Sequence, residues 1–308
     1  MEKILEQASK HNYLLLILLA LGSLAGMAIV LWNYPATPDS LKYFSTPSFP
    51  IWLMMMAVFC GLLPVFGIPL WLSLIEFKEH IKKNWLSISV SSVFLYGLFV
   101  ASIPFAVNVI QIVFPLYKHI DKMWVIFTLG YLAMLPAAIG LWSILSAAKE
   151  TYERADPDPQ KCYPAVQAFN HYRSYLQAYL VIAGILISLV VLSTGAMRQA
   201  LVEYNPANEQ LFSNNMVLAH GLYFTFLLGV LYVPTYIVVQ LYGRLLRDKV
   251  YPVITLDDYK EKEPLRKQFD EILNLNITVG QNLRAGLFIL APLVTSLFSS
   301  LINIRVLG

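Results

Sequence analysis

The sequence predicts an all-α, polytopic integral membrane protein of about seven transmembrane helices, with helix ends extended into a small cytoplasmic collar. Three observations lead there. Of 308 residues, 57% are hydrophobic and only 13% charged, about half the charged share of a soluble domain. The apolar residues come in long runs, and about twenty of them as helix cross a hydrocarbon core of about 30 Å. Lys and Arg concentrate in alternate connecting segments, the asymmetry that orients helices in a bilayer.

The first run, Tyr13–Leu31, follows Lys3 and Lys10. A basic start before an apolar stretch resembles a secretory signal. This stretch exceeds the usual length of about 7–15 residues and further spans follow, so a retained signal anchor is expected. A polar, proline-rich loop covers residues 33–50, and the second span, 51–77, contains Pro64 and Pro69. The third, 86–115, is broken by Pro104 and is longer than the membrane is thick, which predicts tilt or a kink. The fourth, 124–148, contains Pro136, and the Asp156-Pro157-Asp158-Pro159 run after it is a helix stop.

A fifth helix is expected to begin near Pro164, since proline suits the first helical turn, and to run to about Thr194. Its first turns carry Gln167, Asn170, His171 and Arg173, too polar for lipid, so they project into the cytoplasm. The sixth span, 217–242, continues through Arg244, Arg247 and Lys249 until Tyr251-Pro252 ends it. A charged stretch, 257–271, leads into the terminal helix, read as one rod over 265–305 with its membrane part at 285–304. The chain is thus one transmembrane domain, 1–308, with 149–175 and 243–284 as cytoplasmic helical extensions.

With the N-terminus inside, 17 of the 22 basic residues lie on the cytoplasmic side. Lys42, Lys118, Lys122, Arg198 and Arg305 are outside, and the C-terminus emerges there. The six tryptophans (Trp32, Trp52, Trp71, Trp85, Trp124, Trp142) sit near span ends, where an amphipathic indole prefers to lie. The expected location is the plasma (inner) membrane.

Several chemistries find no support in the residues. All 19 carboxylates lie at or beyond the span ends, Glu76 nearest to lipid, whereas ion-coupled transporters place a carboxylate near the midplane. There is no HExxH, Walker loop or GxSxG. The chain is therefore expected to be no enzyme and to need no metal or cofactor. Cys60, in an apolar run, and Cys162, in a polar loop, differ too much in depth to be read as a bridge.

Two constellations remain. Wound as a single helix, the C-terminal segment gathers Lys267, Glu271, Asn274, Thr278, Gln281, Asn282, Ala285, Ser296, Ser299, Ser300 and Asn303 within an arc of about 100°. Such a stripe either glues helices together or lines a water-filled path. In the second case Asn274, Thr278, Gln281, Asn282, Ser296, Ser299, Ser300 and Asn303 face the path, and Phe288 and Ile289 form an apolar gate. The other constellation is a basic, tyrosine-interleaved inner face containing Arg173, Arg244, Arg247, Lys249, Arg266, Lys267 and Arg284. It suits anionic lipid headgroups, or else an anionic cytoplasmic ligand such as a nucleotide or oligonucleotide. The acidic run Asp257, Asp258, Glu261 and Glu263 offsets much of that field.

The leading expectation is a homo-oligomeric channel whose terminal helix lines the path and whose basic inner face controls it. One rival is a monomeric carrier or facilitator for a small solute, with its site near Pro104, Asn108, Gln111, His220 and Thr225. Another is a membrane-disrupting effector, of the kind found in bacterial defence, held in check by a ligand or regulatory protein.

Overall fold

The computed structural model describes residues 12–32, 37–98, 119–275 and 279–301. Within them the chain forms α1 (Asn12–Leu31), α2 (Pro38–Phe44), α3 (Ser48–Ser73), α4 (Lys78–Lys83), α5 (Trp85–Leu98) and α6 (His119–Arg154). There follow α7 (Tyr163–Tyr204), α8 (Asn208–Leu211), α9 (Asn214–Val250), α10 (Leu256–Ile272) and α11 (Val279–Leu301). No strand occurs among the described residues. Among the described residues five helical stretches are long and apolar enough to cross a membrane, those of α1, α3, α6, α7 and α8–α9. The expected third and seventh spans appear as the shorter apolar helices Trp85–Leu98 and Gly286–Phe298. The remainder of the third, with Pro104, Asn108 and Gln111, lies outside the described residues.

At 42 residues, α7 is the longest element, about 63 Å of helix. It touches α3, α6, α9 and α11, and its buried positions from Ala165 to Leu201 run nearly its whole length. Pro164 stands at its first turn, as expected. The prolines inside α3, α6, α9 and α11 all remain within continuous helix. At Pro292 the missing N–H opens the ladder, and the next amide, Leu293 N–H, donates to Thr225 Oγ1 on α9 at 3.2 Å.

α1 lies against α3. Gly22 and Gly26, one helical turn apart, face Cys60 and Gly61 so closely that a Cβ on Gly22 would stand 2.7 Å from the Cys60 carbonyl oxygen. One on Gly26 would stand 2.5 Å from Cys60 Cβ. Val30 of α1 is buried, whereas Leu14, Ile17, Leu21 and Leu24 are exposed apolar surface. At one end of the bundle Glu203 caps α3, accepting from Ser48 N–H at 2.9 Å and Ser48 Oγ at 2.6 Å. A carboxylate at a helix N-terminus satisfies orphan amides and opposes the helix dipole.

The predicted C-terminal rod is not one helix. α10 ends at Ile272, the chain turns through Asn274 with φ 48°, and α11 begins at Val279. Asparagine tolerates this left-handed geometry better than most residues. The Arg173 guanidinium donates to the Leu273 and Asn274 carbonyls at the turn.

Candidate functional site

The break separates the polar stripe into two parts with different surroundings. Asn274 is exposed in the turn. Thr278 and Asn303 lie outside the described residues, as do the side chains of Gln281, Asn282, Arg284, Ser299 and Ser300. Ser296, expected to face a water path, is wholly buried within the chain. Its Oγ donates to Leu293 O at 2.7 Å, and a Cβ on Gly221 of α9 would stand 2.5 Å from Ser296 Cβ. Phe288 and Ile289, expected to form a gate, pack against the largest hydrophobic cluster. A Cβ on Gly184 of α7 would meet the Phe288 carbonyl oxygen at 3.1 Å. Leu287, Leu290, Val294, Leu297 and Phe298 are the exposed side of α11. Ser296, the stripe residue of α11 whose side chain is described, is turned away from that exposed apolar side and pressed against Gly221 of α9. Ser and Gly there let backbones approach, the small-residue means of joining apolar helices.

The basic residues come together at the end of the bundle where α6, α9 and α10 terminate or begin. Arg247 forms a two-pronged bond to Asp270 at 2.9 and 3.1 Å and also pairs with Asp248. Arg266 donates to the Tyr251 carbonyl at 2.6 Å and to the Asp248 carboxylate. The Lys249 ammonium lies 5.3 Å from the Tyr152 ring centre and reaches the Tyr152 carbonyl at 3.2 Å. Lys267 pairs with Glu263 at 2.8 Å, which raises its pKa. Arg244 is exposed and makes no ion pair among the described residues. Most of this charge is therefore matched inside the chain, tying α10 to the other helix ends. An open anion cradle would need donors aimed outward, and Arg173, Arg247 and Arg266 aim at carbonyls and carboxylates of the protein.

Two further contacts join the turn after α3 to this end. Glu150 on α6 receives His80, Lys83 and Arg154. Glu76 pairs with His171 on α7. Burial pushes the Glu76 carboxyl up, but the Tyr175 hydroxyl facing it and the His171 imidazole outweigh that and hold it below its ordinary 4.5.

A further feature is a cavity in the apolar part of the bundle, walled by Phe59 of α3, Leu95 of α5, Met134 of α6, Ala183 of α7 and Phe224 of α9. Its volume is about 130 Å³. No protein family, characterised protein or solved structure that was compared matches this chain. What the cavity accepts therefore has to come from its own walls.

Among the described residues that line it there is no Asp, Glu, Lys or Arg. Polar groups reach it at a few points, among them Ser92 on α5 and His220 on α9. The His220 ring lies 4.7 Å from that of Phe224, so it stands on the inward side of α9. Tyr179, another lining residue, has its hydroxyl bonded to Ser73 Oγ at 2.8 Å. Its ring occupies the space beside Gly140, where a Cβ would stand 2.5 Å from Tyr179 Cε2. Sequence reasoning named His220 as a residue of interest but missed Ser92, one apolar-run serine among several. The only sequence signal was spacing: Ile88, Ser92 and Leu95 fall on one face of α5 and are its buried positions.

Proposed function

We propose that this chain is a multi-pass carrier or facilitator for a small solute in the plasma (inner) membrane, acting as a monomer, with its solute site in the central cavity. The observation that carries this reading is the cavity itself, shared by five helices and walled by uncharged side chains. Three of those helices contain prolines in their interior, Pro64 and Pro69 in α3, Pro136 in α6 and Pro234 in α9. Proline weakens the local backbone ladder and supplies points about which helix segments re-space. The absence of a carboxylate among the cavity's described lining residues fits facilitated movement of a neutral solute better than ion coupling.

In this reading the bundle has seven spans, α5 and α11 belonging to the third and seventh. The N-terminus is cytoplasmic, and 149–175 and 243–284 form a cytoplasmic collar. The distribution of 17 of the 22 basic residues supports that orientation. An oligomeric pore lined by α11 would need its polar edge turned to shared water, and the buried Ser296 favours the carrier over it.

Ser296→Leu separates the two. In a carrier the larger side chain overpacks the contact with Gly221 and lowers Tm in detergent by about 3–8 °C. In a pore it leaves Tm unchanged and reduces conductance. Mass measurement in detergent is expected to find one chain per particle. A ring of copies, or unitary conductance steps in planar bilayers, would overturn the carrier reading.

A further inference from the structure

We infer that the cavity binds an uncharged, benzene-sized aromatic ligand carrying a single hydrogen-bonding group, a molecule of the phenol class. The inference rests on the reading of this cavity as the solute site and adds the chemistry of the solute.

Size comes first. A volume of about 130 Å³ is close to that of an apolar protein cavity of about 150 Å³ that stays dry and takes up benzene. It is below the roughly 300–1,000 Å³ of pockets that hold drug-sized ligands. Charge comes next. With no charged residue among the described residues of the wall, an ion entering would lose its hydration without a counter-charge from them, a cost of many kcal/mol.

Polarity supplies the second, independent observation. Ser92 is 4% exposed, and its Oγ has no hydrogen-bond partner. A serine or threonine in an apolar helix ordinarily donates to the carbonyl one turn back, as Ser143 does to Ile139, Thr194 to Val190 and Thr235 to Leu231. Ser92 makes no such bond and borders the cavity instead. A buried hydroxyl left unpaired is costly, and a ligand hydroxyl, which both donates and accepts, removes that cost. A lone water needs two to four polar partners and would leave the apolar walls unfilled. The aromatic walls, Phe59, Tyr131 and Phe224, favour a ring through edge and face contacts.

The test uses the full chain in nanodiscs of saturated phosphatidylcholine, with empty nanodiscs as the blank. Fluorine NMR follows titration with 4-fluorophenol and with 4-fluorotoluene, which has nearly the same shape without the hydroxyl. Saturable binding of both is expected, the phenol being the tighter. Ser92→Ala should weaken 4-fluorophenol roughly fivefold and leave 4-fluorotoluene unchanged. Ala183→Phe should abolish both by filling the space. Ala138→Leu, a smaller change in the same wall, serves where Ala183→Phe does not yield folded protein. No saturable binding above the blank, equal effects of Ser92→Ala on both probes, or a co-purified lipid chain that neither probe displaces would each overturn the inference. Flux of 4-fluorophenol into proteoliposomes is read separately. Ser92-dependent binding without flux removes the carrier reading and keeps the site, and flux of other neutral solutes without binding does the reverse.

Discussion

The apolar part of the bundle and its charged end are held together by opposite means. Around Gly22, Gly26, Gly61 and Gly221, helices join where side chains are nearly absent and backbones touch. At the other end, α10 and the ends of α6, α7 and α9 are joined by long side chains, Arg173, Arg247, Lys249 and Arg266, reaching carbonyls and carboxylates. The difference follows from the solvent each region has to leave. Apolar helices gain nothing from burying Leu against Leu when lipid is the alternative, so association rests on close van der Waals approach. Where water competes, apolar burial recovers its value, and Phe169, Leu246, Phe269 and Leu273 build a conventional core there. Ion pairs over that core set the register of α10.

The comparison can be broken most severely on its small-residue side. Gly26→Leu places a branched side chain where even a Cβ would stand 2.5 Å from Cys60 Cβ. It is expected to cost more than about 3 kcal/mol, because the contacting atoms belong to α3 itself and cannot swing aside. The readout is Tm in detergent, together with reaction of Cys60, now 6% exposed, toward a small apolar thiol reagent. Unchanged Tm and an unreactive Cys60 would show that α1 does not depend on that seam.

A middle-sized effect is expected at the charged end. Arg247→Ala leaves Asp270, itself 8% exposed, without its two-pronged partner, at a cost of about 2–3 kcal/mol. The double substitution Arg247→Met with Asp270→Leu should recover most of it, since the cost lies in the stranded carboxylate. Protease cleavage within α10, compared across the three proteins, reports whether that helix has come loose.

The smallest effect concerns acid. Because Glu76 is held below its ordinary 4.5 in the folded chain, its stabilisation is complete above about pH 4.5. It is lost as pH falls through the lower folded value. The pair is two-fifths exposed, so the contribution is expected to stay under about 1 kcal/mol. Glu76→Gln should flatten the acid limb of a Tm-against-pH curve by lowering Tm slightly at pH 7 while changing little in acid. An acid limb identical to that of the unsubstituted protein would assign it to other carboxylates.

Several elements were legible before any coordinates. Run length alone marked α1, α3, α6, α7 and α9, because a helix of twenty apolar residues has few soluble alternatives. The Asp-Pro-Asp-Pro stop and Pro164 placed the start of α7, because proline constrains its own φ and removes a donor wherever it stands. The α1–α3 seam was present in the letters as Gly22 and Gly26 four apart, but spacing alone does not name a partner. The polar spacing of the C-terminal segment was also legible, and Ser296 is its described member on α11. The break at Asn274 was not, since helical periodicity assumes the very continuity it is used to test.

By itself, then, the sequence determined the all-helical class and the long apolar runs that form its helices. Those are local properties, set by hydrophobicity and period along one segment. Only the tertiary structure decided what the polar residues meet. It put Ser296 against Gly221, matched Arg247 with Asp270 across an intervening turn, and brought Ser92 and His220 from different helices to the wall of one cavity. A side chain's partner depends on how separate helices lie against each other, and no single segment contains that information.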